Sequence, residues 1–168
     1  MSASGQRSGD ELAEAVAKLL QAKVKRIAVA EATACGLVMH RLASVPGASW
    51  YLDGGVVAYS VPTKRKVLGL SDAELAEGSV SHAAAQAMAR RVRELVGSDI
   101  GLADTGMAGP TGTADKPAGL VYVTLSASDA ELWERHQFPG NDRLTNQRRT
   151  GDVALGLLKR YLESLPGS

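Results

Sequence analysis

Residues 26–42 read Arg26-Ile27-Ala28-Val29-Ala30-Glu31-Ala32-Thr33-Ala34-Cys35-Gly36-Leu37-Val38-Met39-His40-Arg41-Leu42, and the order of residue types in this stretch decides the fold class. The first six residues form a short β-branched run of the kind that fills a buried strand. Thr33-Ala34-Cys35-Gly36 breaks the run with small residues, and Leu37 to Leu42 reads as a short helix that Pro46 and Gly47 end. A buried strand turning directly into a helix is the building unit of an α/β protein.

The same alternation extends in both directions. Upstream, Asp10 is placed to cap a helix whose Leu12, Val16, Leu19 and Leu20 share one face and which ends near Lys23. Met1 to Gly9 mix Ser, Gly and Gln without periodicity and are expected to form a disordered tail. Downstream, Val56-Val57-Ala58-Tyr59 is a second strand, preceded by the pair Gly54-Gly55. Ser60 caps a helix with Pro62 in its first turn, Ser71 and Asp72 open a turn or short helix, and Ser81 caps the strongest helix, about His82 to Val96. Strands follow at Ile100 to Thr105, Leu120 to Leu125 and Glu131 to Phe138, and a last helix runs from Asn141 to about Leu162. No internal repeat or linker divides the chain, so residues 10–165 are expected to form one domain. The expected architecture is a three-layer α/β/α sandwich on a mixed sheet, with an antiparallel hairpin late in the chain.

Composition narrows the function classes. The 19 basic and 18 acidic residues leave a net charge of +1, without the basic excess of a general nucleic-acid binder. Aromatic residues make up 4% of the 168 residues, which leaves few stacking platforms for bases. A single cysteine excludes an internal disulfide framework and a cysteine zinc site, and His40, His82 and His136 lack metal-ligand spacing, so no metal and no cofactor are expected. No apolar run approaches membrane-spanning length. A reduced, cytoplasmic protein without nucleic-acid or membrane partners is expected, assembled as a homo-oligomer.

Two loops lie where open α/β sheets bind ligands, outside the carboxyl ends of strands. The first, Ala30 to Leu37, is expected to leave free backbone N–H groups at a helix start, where an anion is favoured. Packing of small residues in a tight turn explains it as well and is preferred from this loop alone. The second, Thr105-Gly106-Met107-Ala108-Gly109-Pro110-Thr111-Gly112, sets three glycines around one proline and lets backbone approach a ligand closely. It ends without the Lys-Ser or Lys-Thr of a phosphate loop and lacks the dinucleotide glycine spacing, and a plain connection explains it equally. Lys64, near Tyr59, would act as a base if held in a partly dry site, although its neighbours Arg65 and Lys66 make a solvated surface lysine the default.

Taken in order, Ala30-Glu31 with Gly36-Leu37, Ser44-Val45-Pro46-Gly47-Ala48-Ser49, Gly54 to Ser60 with Lys64, Thr105-Gly106-Met107-Ala108-Gly109-Pro110 with Gly112, Lys116-Pro117 and Gly119 to Val123 resemble one family. It is the C-terminal domain of the competence/damage-inducible protein CinA, found alone as nicotinamide-nucleotide amidohydrolase, and the resemblance runs from Glu11 to Leu158. It implies a pocket for nicotinamide mononucleotide (NMN) and metal-free hydrolysis of its amide to nicotinate mononucleotide and ammonia, a step of NAD salvage. In the family a loop serine is the nucleophile, and Tyr59 and Lys64 match positions that help to activate it. The resemblance places phosphate and oxyanion contacts on the first loop (Thr33, Ala34, Gly36) and on Thr105, Gly106, Ala108, Gly109 and Gly112. Arg148, paired with Arg149 near the start of the last helix, is a further candidate phosphate contact, which a solvated helix face explains as well.

The chain departs from that pattern at the chemistry. The nucleophile position is Ala32, the following threonine is Ala34, and the first of two glycines is Cys35. Spacing from Arg143 puts Gln147 where a basic residue is expected, with Arg148 adjacent. Loss of a nucleophile costs several powers of ten in rate. The expectation is therefore a catalytically impaired relative that keeps at most a pyridine-nucleotide pocket. The alternative is an active amidohydrolase that attacks with Cys35, whose thiol lies near a helix start, or with Thr33. Thr33 is expected to point away from the side chain of residue 32, as neighbours on an extended chain do.

Overall fold

The computed structural model describes residues 10–166, so the tail expected at 1–9 lies outside the described residues. In chain order the elements are α1 (Glu11–Ala22), β1 (Ile27–Glu31), α2 (Leu37–Ala43), a 3-10 turn (Ala48–Trp50), β2 (Leu52–Val57), α3 (Val61–Leu68), α4 (His82–Val96), β3 (Ile100–Gly106), β4 (Leu120–Ala127), β5 (Glu131–Gln137) and α5 (Arg143–Ser164). Side-chain caps start four of the helices: Asp10, Ser60, Ser81 and Asp142 each accept a backbone N–H from three residues on.

The five strands form one mixed sheet in the order β2-β1-β3-β4-β5. β1 runs parallel to both β2 and β3, whereas β3, β4 and β5 are antiparallel neighbours. Alternation along the strands supplies two cores. Ile27, Val29, Leu102, Val121 and Val123 face one way and pack with α1, α2 and α5. Ala28, Ala30 and Ala103 face the other way and pack with Ala87, Met88, Ala89 and Val92 of α4. Helices therefore cover both faces, and the chain is an α/β sandwich on a mixed sheet. The second layer is close-fitting: a Cβ on Gly101 would collide with the Ala89 carbonyl.

Two local expectations are corrected. The glycine pair does not precede β2 but sits inside it, and the strand ends at Val57 rather than Tyr59. Pairing with β1 brings Gly55 under Met39 and beside the Val29 carbonyl, where a side chain has no room. The last helix starts at Arg143, not Asn141, because Asp142 caps it. No helix among the described residues is long and apolar enough to cross a membrane.

Candidate functional site

β1 and β3 lie side by side and end together. From β1 the chain crosses to β2 on one side and later returns to β3 on the other, so a crevice opens beyond their carboxyl ends. A cavity of about 320 Å3 occupies that crevice. Ala32 and Thr33 line it from the β1 end, Thr105, Gly106, Ala108 and Gly109 from the β3 end, and Tyr59, Lys64 and Arg143 from the helical side. The remaining sequence-derived positions lie elsewhere. Ala34, Cys35, Gly36 and Arg148 line a separate, more open cleft with His40 and Gln147. Gly112 is packed against the Lys116–Ala118 backbone, and its neighbour Thr111 reaches the cavity instead.

The first loop is not a set of free donors. Glu31 and Asp104 extend from the ends of adjacent strands, one step past the paired Ala30 and Ala103. Asp104 Oδ1 accepts the Thr33 and Ala34 N–H groups at 2.6 and 3.0 Å. The Glu31 carboxylate accepts those of Gly36, Val38 and Met39 at 2.8–3.0 Å. The anion that the exposed amides would have attracted is therefore built in, as two side chains. Both carboxyls are buried, and burial raises the pKa of each. Asp104 reaches about 7, pushed first by desolvation and then by the charge of Glu31, against the pull of its amide donors.

Lys64 is also unlike its default reading. It is 2% exposed, while Arg65 and Lys66 on the same helix face solvent. Its Nζ donates to Thr105 Oγ1 at 3.2 Å and to the Ser79 carbonyl at 3.3 Å. Thr105 in turn donates to that carbonyl at 2.7 Å. Burial lowers the amine to about 8, and the nearby Asp104 charge pulls part of the way back. Tyr59 is bonded not to Lys64 but to Arg143, which also donates to the Gly109 carbonyl, so the guanidinium bridges two walls of the cavity mouth. Residues 32–34 have already left the strand, which is why Ala32 and Thr33 both face the cavity. Thr33 Oγ1 is buried away from solvent without a hydrogen-bond partner, and Gln147 Nε2 donates to the Thr33 carbonyl at 3.1 Å.

Sequence reasoning gave no site role to Asp104, Arg143 or Ser79, whereas Gln147 entered as the position where the family has a basic residue. Asp104 had one legible signal, a carboxylate inside an otherwise apolar strand run. Arg143 entered only as a reference for spacing and Ser79 had no signal, because only the fold brings them to the cavity that Lys64 lines. A larger groove of about 600 Å3 opens at the opposite end of the sheet beside Leu20, Val24 and Trp50. Its two charged residues are engaged with each other or nearby: Arg26 with Asp53, and Asp99 with the Arg26 N–H. Among the described residues no cluster of His, Cys, Asp or Glu could hold a metal ion.

The model of the CinA C-terminal domain family matches residues 9–162. CinA-like proteins of Salinibacter ruber and Syntrophus aciditrophicus are 43% and 42% identical over 158 and 156 residues, 92% and 91% of this chain. This chain spans only 38% and 37% of their lengths. Among solved structures, a CinA superfamily protein from Klebsiella pneumoniae superposes with a TM-score of 0.88 at 31% identity, covering 92% of this chain and 98% of that one. The competence/damage inducible protein CihA from Agrobacterium tumefaciens gives 0.87 at 29% identity, covering 92% and 94%.

Proposed function

The chain belongs to the CinA C-terminal domain family, and from that premise we propose that its crevice binds nicotinamide mononucleotide or a closely similar amide-bearing nucleotide. Attack from residue 32 is closed, so the chain is an impaired relative of the amidohydrolases it resembles. One observation carries this reading: Ala32, which ends at Cβ, lies in the wall of the same cavity as Lys64, Thr105, Tyr59 and Arg143. The general-base amine and the cationic mouth are retained, and the atom that would attack from residue 32 is missing.

Arg143, in the cavity wall, supplies a cation for the phosphate of a ligand. The first-loop amides of Thr33 and Ala34 already serve Asp104, which shifts the phosphate contact toward Arg143 and the Ala108–Gly109 backbone. Attack by Cys35 has weaker support, since the thiol lies exposed in the other cleft, away from Lys64. Attack by Thr33 lacks a base, since its hydroxyl has no hydrogen-bond partner.

The test is calorimetry with NMN and nicotinate mononucleotide, together with ammonia release by the native chain and by Ala32→Ser and Cys35→Ala. We expect both nucleotides to bind, Cys35→Ala to leave the native rate unchanged, and Ala32→Ser to release ammonia about a hundredfold faster or more. Absence of binding, or an Ala32→Ser rate equal to the native one, overturns the reading.

A further inference from the structure

Lys64 is the one basic side chain of α3 that the fold buries, and among the described residues no carboxylate pairs with it. Such burial is costly unless the group has work to do. Its partners are a carbonyl and a single hydroxyl, that of Thr105 at 3.2 Å. Thr105 also stands in a particular place. Ala30 of β1 lies opposite Ala103 of β3, and just beyond that pair Ala32 and Thr105 line the same cavity.

We propose that Thr105 Oγ1 is the nucleophile of this chain and Lys64 Nζ its general base, replacing from the neighbouring strand the attack that Ala32 cannot make. The substrate assignment rests on the nucleotide reading above, whereas the reactivity of the pair does not. Burial has already brought the amine to about 8, so a neutral fraction that can take a proton exists at mildly alkaline pH. The Thr105 hydroxyl, which donates to the Ser79 carbonyl, turns about its Cβ–Oγ1 bond to donate to Nζ.

Nζ then takes the proton as Oγ1 bonds to the carboxamide carbon, and the carbonyl π pair moves onto oxygen. When that pair returns, the C–N bond breaks, and the proton on Nζ passes to the departing nitrogen, which leaves as ammonia. Water gives a proton to Nζ while its oxygen attacks the ester. The ester C–O bond then breaks, and the proton returns to Thr105. The sum is amide plus water giving acid plus ammonia, with no further reactant.

The closing experiment probes the pair with a small alkyl fluorophosphonate at pH 9. The Oγ1–P bond forms, the P–F bond breaks, and the proton goes to Lys64. Peptide mass spectrometry is expected to find one adduct, on Thr105. Thr105→Ser retains it, Thr105→Val lacks it, and Lys64→Met slows it about a hundredfold or more. Circular dichroism of each variant reports whether it is folded, and Thr105→Ser keeps the test decisive if Thr105→Val is not. No adduct, an adduct on another residue, or an unchanged rate in Lys64→Met overturns the proposal. NMN binding is measured on the same samples. Labelling of Thr105 without NMN binding overturns the nucleotide reading and supports the pair; NMN binding without labelling does the reverse.

Discussion

Lys64 is held with a carbonyl and a hydroxyl as partners, so its charge is a cost to the fold at neutral pH. The titratable groups around it are Asp104 on β3 and Tyr59 and Arg143 at the cavity mouth. Its folded pKa of about 8 lies below the ordinary 10.5, so between those values the unfolded chain binds more protons and stability rises with pH. Below pH 8 the full penalty is present. Lys64→Met removes it and, after the lost hydrogen bonds, should stabilise the chain by about 1–2 kcal/mol. That corresponds to a thermal midpoint at pH 7 roughly 2–8 °C higher. The gain should fade above pH 10, and a midpoint equal to or below the native one would refute this account. The labelling rate of the native chain should rise with pH through about 8 as the amine loses its proton. The sequence offered Lys64 as a candidate base but not its burial or its partners, because Lys64-Arg65-Lys66 is a run of three cations whose members differ only in which way α3 turns them.

At the scale of elements, the contact between α4 and β3 positions Thr105. The apolar spacing of Ala84, Ala87, Met88 and Val92 revealed α4 and its buried face directly, since helical periodicity is a local property. The closeness of its approach was not legible. Gly101 has no Cβ because the Ala89 carbonyl stands in its place. Gly101→Ala should therefore push α4 off the sheet and cost about 1–3 kcal/mol, seen as a lower urea midpoint with an unchanged slope. A neutral result would mean that α4 is not fixed at that distance. β2 makes the same point from the other side. Gly54-Gly55 is expected ahead of the strand, yet the pair lies within it: at Gly55 the Val29 carbonyl and Met39 leave no space for a side chain, and Gly54 has a positive φ of 136° that favours glycine. The amides at the start of α2 are held by Glu31, close by on β1, whereas those of Thr33 and Ala34 are held by Asp104 of β3, which no local spacing reveals because it is 70 residues from Ala34 along the chain.

For the molecule as a whole, the buried Glu31 and Asp104 set the response to pH. The folded pKa of Asp104, about 7, lies above the ordinary 3.8, so across that interval the folded chain binds more protons and stability falls as pH rises. Asp104→Asn retains an oxygen to accept the Thr33 and Ala34 N–H groups and removes the ionisation. Urea unfolding at pH 5 and pH 8 should therefore show the variant gaining on the native chain at the higher pH, by about 1 kcal/mol or more. A gain by the native chain would contradict this. Read alone, the sequence determined the α/β class, the order of the elements, the placing of two loops at strand ends and the loss of a side-chain nucleophile at position 32. Each of these follows from periodicity, breakers and residue chemistry within a few positions. Tertiary structure alone decided that the loop amides are already occupied, that Arg143 rather than Arg148 reaches the crevice, and that the amine of Lys64 meets the hydroxyl of Thr105. Those facts depend on strand register and helix orientation between segments far apart in the chain, which hydrophobic spacing does not encode.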